Sequence, residues 1–159
     1  AKIVTEMNNS ISDNNESNMF VTLIVGILDL ETGILKLCNA GHNPPILIYP
    51  DGQVSYLEFK TQIFVGVVED FKYSDEEVVL EKESKLFLYT DGVTEAENIN
   101  KELYGEEKLL EMLSDNASSD VRTTVNVVVD SIASHVKEAE ASDDLTILLI
   151  QYEPGTANS

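Results

Sequence analysis

Basic residues, cysteines and long hydrophobic runs are scarce in this sequence, and each scarcity excludes a class of protein. Only 10 of the 159 residues are basic while 29 are acidic, so the formal net charge is -19. A field of that sign repels nucleic-acid backbones and anionic lipid surfaces. We therefore expect neither a nucleic acid nor a membrane surface as partner. The acidic excess either keeps the chain soluble or recruits cations, and composition alone does not separate the two.

Disulfide bonds and membrane segments are not expected either. Cys38 is the only cysteine, so no internal disulfide can form, and a reducing cytoplasm fits. The longest apolar run, residues 20–28, contains Thr22 and Gly26 and is far shorter than the roughly 20 residues of a helix that spans a bilayer. The first residues lack the charged and apolar parts of a signal peptide. The sequence thus indicates a cytoplasmic location.

The length and the hydrophobic pattern predict one α+β domain. A chain of 159 residues with 43% hydrophobic residues is large enough for a single core. The pattern predicts a helix, then antiparallel strands, two helices and a last strand. The predicted helices are Ala1–Ile11, Glu106–Leu113 and Asp120–Val136. The predicted strands are Met19–Leu30, Ile34–Asn39, Ile46–Tyr49, Val54–Phe59, Phe71–Glu81, Lys85–Thr90 and Leu145–Tyr152.

Turn residues predict how the strands are connected. The turns Glu31–Gly33 and Pro50–Gly52 each separate two strands at hairpin distance. The strands at 71–81 and 85–90 are predicted to form a further pair, which continues the antiparallel meander. The strand at 85–90 has little polarity on either face, so it is predicted to be buried on both.

Two of the helices rest on apolar spacing. The first is predicted from four residues that recur every three to four positions: Ile3, Val4, Met7 and Ile11. Val125–Val129 alone could form a strand, but apolar residues follow a 3.6-residue period from Val121 to Val136 and favour a helix. Ser118 or Ser119 is available to cap its start.

Two acidic motifs at the ends of predicted buried strands carry the candidate chemistry. Asp91 and Gly92 directly follow one strand in the segment TDGVTEA, and Asp143 and Asp144 directly precede another in the segment SDDLT. Paired acidic charges are costly unless they are solvated or bound to metal. If the two strands are neighbours, the carboxylates converge at one sheet edge and can hold hard divalent cations through oxygen. The alternative is an ordinary Asp-Gly turn and a solvated acidic loop.

Other reactive residue types have structural interpretations. His42, in the segment NAGHNPP, could be a general acid, a metal ligand or a loop organiser, and the last is favoured for a lone histidine. Cys38 lies in an apolar strand and is interpreted as an inert core thiol. His135 is interpreted as a partly exposed helix residue. No EF-hand loop, zinc-finger spacing or phosphate-binding glycine loop is visible.

Four segments in this order resemble the sporulation-protein-E branch of PPM-type phosphatases: FVTL at 20–23, NAGHNPP at 39–45, YTDGVTEA at 89–96 and DDLT at 143–146. The segments VGVVED at 65–70 and YGEEKLL at 104–110 are similar to the pieces between them. The resemblance implies a β-sandwich flanked by helices that is incomplete at its N-terminal side. Residues 1–153 would form this partial domain, and 154–159 a polar tail.

The resemblance also implies an activity, the metal-dependent hydrolysis of phosphoserine or phosphothreonine by two Mn²⁺ or Mg²⁺ ions without a covalent intermediate. Asp91 and Asp143 match catalytic metal-ligand positions of the family. Gly92 and Asp144 are the other expected residues of the metal site, Asp144 as a weaker ligand or an outer partner. The implied substrate is a small phosphorylated regulatory protein of the anti-sigma-factor antagonist type.

This sequence also departs from the family pattern. The family's earlier strand-borne aspartate and its aspartate-containing glycine loop are absent from it, so this chain alone is expected to bind metal weakly and to hydrolyse slowly. Exposed strand edges could pair two copies into a homodimer. His42 and Asn43 match a loop at the edge of the site, and no general acid is assigned. The main alternative is a noncatalytic phosphatase-like domain that binds a regulatory partner; an acidic calcium-binding module is a weaker one, since no compact ligand loop is visible.

Overall fold

A computed structural model describes residues 1–13, 15, 18–60, 62–139 and 143–154 and shows the predicted order of elements. Within these residues the helices are α1 (Lys2–Ser12), α2 (Glu106–Asp115) and α3 (Val121–Val136). The strands are β1 (Leu23–Leu28), β2 (Ile34–Ala40), β3 (Ile46–Ile48), β4 (Val54–Tyr56), β5 (Glu76–Val79), β6 (Lys85–Tyr89) and β7 (Ile147–Gln151). The chain divides into two units, one containing Ala1–Pro44 and Glu58–Leu80, the other Pro45–Leu57 and Glu81–Glu153. Most of the predicted tail, residues 155–159, lies outside the described residues.

The first unit is an antiparallel sheet in the order β1-β2-β5 with α1 packed on it. Val4 of α1 is fully buried in a cluster with Cys38, Ala40, Val65 and Tyr73. The predicted strand from Met19 is shorter than expected. Val21 forms only an isolated bridge with Val65, so the strand that pairs with β2 begins at Leu23.

Helix α1 is confirmed, but its buried face differs from the predicted apolar stripe. Asn8 is fully buried, whereas Ile3 is 57% exposed. The Asn8 amide is satisfied because its Nδ2 donates to the Val68 carbonyl at 2.8 Å and its Oδ1 accepts from the Gly66 N–H at 2.9 Å. A polar residue with both amide ends paired can be buried at little cost.

The second unit is an antiparallel sheet in the order β4-β3-β6-β7 with α2 and α3. Its core contains Phe87, Leu109, Leu113 and Val128, all fully buried. Lys85, the first residue of β6, is buried in this unit. Its Nζ donates to the carbonyls of Ala117 (2.7 Å) and Ser119. Burial lowers the pKa of Lys85. This ammonium ties the loop between the two helices to the start of the strand.

Helix α3 is confirmed and includes residues 125–129, so the strand alternative is wrong. Its N-cap is Asp120 rather than Ser118 or Ser119, because the Asp120 carboxylate reaches the N–H of Thr123 at 3.0 Å. None of the described helices combines the length and the apolarity needed to cross a bilayer.

The predicted pairing of the strands at 71–81 and 85–90 is wrong. β5 pairs with β2, while β6 lies between β3 and β7. The meander also stops after β2, since β2 and β3 belong to different sheets. The physical reason lies in β6, whose residues are nearly all buried, because an apolar strand needs a neighbour on each side and cover on both faces. β5 alternates between partly buried and exposed residues, as an edge strand does.

Candidate active site

The two acidic motifs lie at the same end of the second sheet. β6 and β7 are antiparallel neighbours, with Tyr89 at the end of β6 opposite Ile147 at the start of β7. Asp91 follows β6 by two residues, and Asp143 and Asp144 precede β7. The condition for their convergence, that the two strands are neighbours, is therefore met. Ser142, the first residue of the second motif, lies outside the described residues.

Thr90 extends the β6–β7 ladder beyond its last strand pair. Its backbone N–H donates to the Thr146 carbonyl at 3.1 Å. Its hydroxyl accepts from the Thr146 N–H at 3.1 Å and donates to the Asp144 carbonyl at 3.3 Å. The side chain thus takes the place of a backbone partner at the point where the two strands diverge.

The backbone after Thr90 forms a tight turn around Asp91. The Asp91 carbonyl accepts from the Glu95 N–H at 2.8 Å, and the Thr94 hydroxyl lies at 3.3 Å from it. One carboxylate oxygen of Asp91, Oδ1, accepts from the Gly92 N–H at 3.0 Å. These contacts fix the backbone that carries the carboxylate.

Gly92 packs directly against the backbone of the second motif. A Cβ at this position would lie 2.4 Å from the Asp144 carbonyl oxygen and 3.0 Å from its carbon. Real Cβ atoms essentially never approach that closely, so only glycine allows the two segments to touch here. The contact binds the backbone of one acidic motif to that of the other.

The three carboxylates of the two acidic motifs are exposed to solvent. Asp91, Asp143 and Asp144 are all exposed to solvent. Asp143 Oδ1 accepts from the Asp144 N–H at 2.7 Å. Within the described part of the chain, no ion pair involves any of the three. Among the described residues, the sheet end therefore carries like charges that no salt bridge neutralises.

These donors match the chemistry of a hard divalent cation but are few. Carboxylate and backbone carbonyl oxygens are the ligands that Mg²⁺, Mn²⁺ and Ca²⁺ prefer. In the described ranges, however, no three His, Cys, Asp or Glu side chains come close enough to form a ligand set. Mg²⁺ is often held by only one or two carboxylates, with water and phosphate completing its shell. The residues present thus fit an open, incomplete metal site.

His42 and Asn43 belong to the first unit, where they form part of an ordered loop. The Asn39 side chain donates to the His42 carbonyl at 2.9 Å and accepts from the His42 N–H at 2.8 Å. The Asn43 N–H donates to His42 Nδ1 at 2.7 Å. Gly41, with φ of +73°, lies under the ring of Phe64. These contacts support the loop-organising role of His42.

Cys38 and His135 have the structural roles expected of them. Cys38 is buried, and burial raises the pKa of its thiol, so the nucleophilic thiolate is disfavoured. His135 is partly exposed at the end of α3, where its Nε2 lies 2.9 Å from the Glu102 carbonyl.

Thr90 was not among the predicted site residues. The available signal was a hydroxyl residue between a buried strand and an aspartate. A role for this hydroxyl could be inferred only once the long-range pairing of β6 with β7 was known.

Comparison with known proteins supports a phosphatase fold. The chain is 23% identical over 152 residues to the phosphoserine phosphatase RsbU of Bacillus subtilis, covering 95% of this chain and 44% of that protein. It spans less than half the length of the curated relatives it matches. The structure is similar to the SiaA PP2C domain of Pseudomonas aeruginosa, with a TM-score of 0.82 and 21% identity over 96% of this chain and 61% of that one.

A second solved structure has the same fold, the phosphatase domain of the cell-fate determinant SpoIIE from Bacillus subtilis, presoaked with manganese. Its TM-score is 0.69 at 16% identity, over 98% of this chain and 68% of that one. The α+β fold class with antiparallel sheets is confirmed by these likenesses. The profile of the stage II sporulation protein E family matches residues 1–153. This chain therefore belongs to the stage II sporulation protein E (SpoIIE) family.

Proposed function

We propose that this chain is the metal-dependent region of a protein serine/threonine phosphatase. The observation that carries the proposal is the meeting of two acidic motifs at one sheet end, with Gly92 packed against Asp144. Membership in the SpoIIE family and similarity to a protein named a phosphoserine phosphatase support the same reaction class. In this proposal residues 1–153 form part of the phosphatase domain and 154–159 are a polar tail.

The proposed ligands are oxygen atoms at the end of β6 and β7. Asp91 and Asp143 would hold Mn²⁺ or Mg²⁺ through their carboxylates, with the Gly92 carbonyl and Asp144 beside them. A bound cation supplies a Lewis acid that lowers the pKa of water and neutralises phosphoryl charge. Two ions are proposed for the complete site, as the family resemblance implies. The site-edge role that the family resemblance implies for His42 and Asn43 stays a prediction.

The charge of the site explains why the reaction would require metal. Asp91, Asp143 and Asp144 are exposed carboxylates with no ion-pair partner among the described residues. A phosphomonoester dianion brought to them is repelled, since like charges a few ångströms apart oppose each other. Without a cation, the carboxylates that would hold the metal repel the phosphate. We therefore expect no turnover in the presence of a chelator.

The proposed substrate is a small phosphorylated regulatory protein of the anti-sigma-factor antagonist type. The family resemblance implies this class of substrate, and the relative RsbU is named a phosphoserine phosphatase; the residues do not specify which protein is the substrate. A cytoplasmic location and a homodimer formed through exposed strand edges also stay predictions.

The test is hydrolysis of a phosphoserine peptide with and without Mn²⁺, by this chain and by the natural protein at its full length. Turnover that requires Mn²⁺ supports the proposal. No turnover by a folded, full-length protein with Mn²⁺ would exclude it. That result would favour the second candidate, a noncatalytic domain that binds a regulatory partner. The absence of a three-residue ligand set among the described residues supports this alternative.

A further inference from the structure

We propose that Thr90 is a positioning residue of the metal site, whose hydroxyl holds the Asp143–Asp144 segment in place beside Asp91. The inference rests on the proposed function, because it assigns a role to Thr90 only if these carboxylates bind metal. It adds a residue that neither binds the cation nor contacts the substrate.

Thr90 makes several contacts from the end of β6 to the segment that precedes β7. Thr90 forms three hydrogen bonds to the segment 144–146, one from its backbone and two through its hydroxyl. The hydroxyl both accepts from the Thr146 N–H and donates to the Asp144 carbonyl. A hydroxyl has one donor and two acceptor sites, so serine can make both contacts, whereas valine, of the same shape, can make neither.

These contacts lie directly beside the residues that carry the carboxylates. The Asp144 carbonyl that Thr90 holds is the same atom against which Gly92 packs. Thr90 immediately precedes Asp91, and Asp144 immediately follows Asp143. One carbonyl is thereby fixed from two sides by residues that flank Asp91. Any shift of this carbonyl changes the separation of the two proposed ligand segments.

Regular β pairing alone does not fix the acidic segment. The regular ladder ends at Tyr89 and Ile147, and Asp143 to Thr146 are all exposed. An exposed segment before an edge strand lacks the apolar burial that would hold it. The Thr90 hydroxyl forms hydrogen bonds to this segment, which is not held by packing.

Residues that do not bind the metal but orient its ligands typically contribute 10- to 100-fold in metal affinity. For Thr90→Val we expect the Kd for Mn²⁺ to rise about tenfold, and kcat at subsaturating Mn²⁺ to fall with little change in the KM for the phosphopeptide. Thr90→Ser should stay within about threefold of the wild type, since it keeps both hydrogen bonds. Because binding is measured by calorimetry, the result does not depend on turnover.

The matched control is Thr124→Val in α3. Thr124 is fully buried, and its hydroxyl also donates to a carbonyl, that of Asp120 at 3.0 Å. Its other carbonyl neighbour, Asn116 at 3.4 Å, belongs to the loop that is tied to Lys85 at the start of β6, the opposite end of the strand from Thr90. This variant should lower the melting temperature without changing the Kd for Mn²⁺.

The experiment uses the wild type, Thr90→Val, Thr90→Ser and Thr124→Val at full natural length, with Mn²⁺ as the probe. Thr90→Ala replaces Thr90→Val if the valine does not fold. Weaker Mn²⁺ binding in Thr90→Val that serine restores supports the inference. Wild-type affinity in a folded Thr90→Val, or an equal loss in Thr90→Ser, overturns it. A wild type that binds Mn²⁺ without turnover refutes the phosphatase proposal alone, and one that binds no Mn²⁺ refutes both.

Discussion

Replacing Gly92 by alanine is the most direct perturbation of the proposed site. The added methyl group would lie 2.4 Å from the Asp144 carbonyl oxygen and 3.0 Å from its carbon. Both atoms belong to the backbone, so no side chain can rotate away to make room. The two acidic segments must therefore separate, or the turn at Asp91 must open.

The magnitude follows from this geometry. Ordinary contact begins at 3.4 Å, so the Asp144 backbone must move by about 1 Å. A displacement of about 1 Å in a catalytic site can cost on the order of 100-fold in rate. Inserting a methyl group into a packed contact costs about 1–3 kcal/mol of stability. We therefore expect a modest loss of stability and a large loss of Mn²⁺-dependent turnover.

Three measurements separate these effects: urea unfolding, calorimetric Mn²⁺ binding, and kcat on a phosphoserine peptide. Gly26→Ala in β1 is the control, because the nearest atoms to its Cβ would belong to side chains rather than to the backbone: Leu37 at 3.3 Å and Leu35 at 3.5 Å. That variant should bind Mn²⁺ and turn over like the wild type. A folded Gly92→Ala protein with unchanged Mn²⁺ affinity and kcat would refute the reasoning.

Three other perturbations give sharp expectations. Asp91→Asn or Asp143→Asn should abolish Mn²⁺-dependent turnover with little loss of folding, because both residues are exposed; retained turnover in either variant contradicts its ligand role. Asn8→Ala should lower the free energy of unfolding by about 1–3 kcal/mol, since it leaves the buried Gly66 N–H without its partner; a urea midpoint like that of the wild type would be inconsistent. Burial, ahead of neighbouring polar groups, raises the pKa of Tyr56, so the unfolded chain ionises first and the free energy of unfolding should fall as pH rises past about 10. Tyr56→Phe should make that fall shallower, and an identical pH dependence would show that Tyr56 does not contribute.

Local elements could be predicted from the sequence because their signals are local. The 3.6-residue period from 121 to 136 gave α3, and turn residues gave the β3–β4 hairpin. Strand partners could not be predicted in the same way. β5 and β6 are close in sequence, yet they join different sheets. The burial of β6 on both faces already indicated a central strand, which a simple hairpin with β5 does not provide.

The site was predictable in its residue types but not in its geometry. Asp91 and Asp143 could be chosen from their positions beside apolar strands. Only β6 is buried as predicted, because β7 is an edge strand that exposes Leu148 and Ile150. Their convergence depended on the pairing of β6 with β7, two strands separated by α2 and α3 in the chain. The hydroxyl contacts of Thr90 are a consequence of that pairing. A hydrophobic pattern likewise could not show that Asn8 is buried, because that burial depends on two backbone partners about 60 residues away.

Successive parts of β6 have different roles, and this explains how a charged site is tolerated at the end of the strand. At its start, Lys85 ties the helix loop to the strand, and Phe87 in its middle is fully buried. The acidic residues come only after the strand ends, where they are solvated and contribute repulsion rather than stability. Removing one of these charges should therefore destabilise the metal-free fold little, while it removes a proposed ligand of the cation. A site whose residues oppose stability but are held in place by neighbours such as Thr90 and Gly92 has the arrangement expected of function rather than of folding.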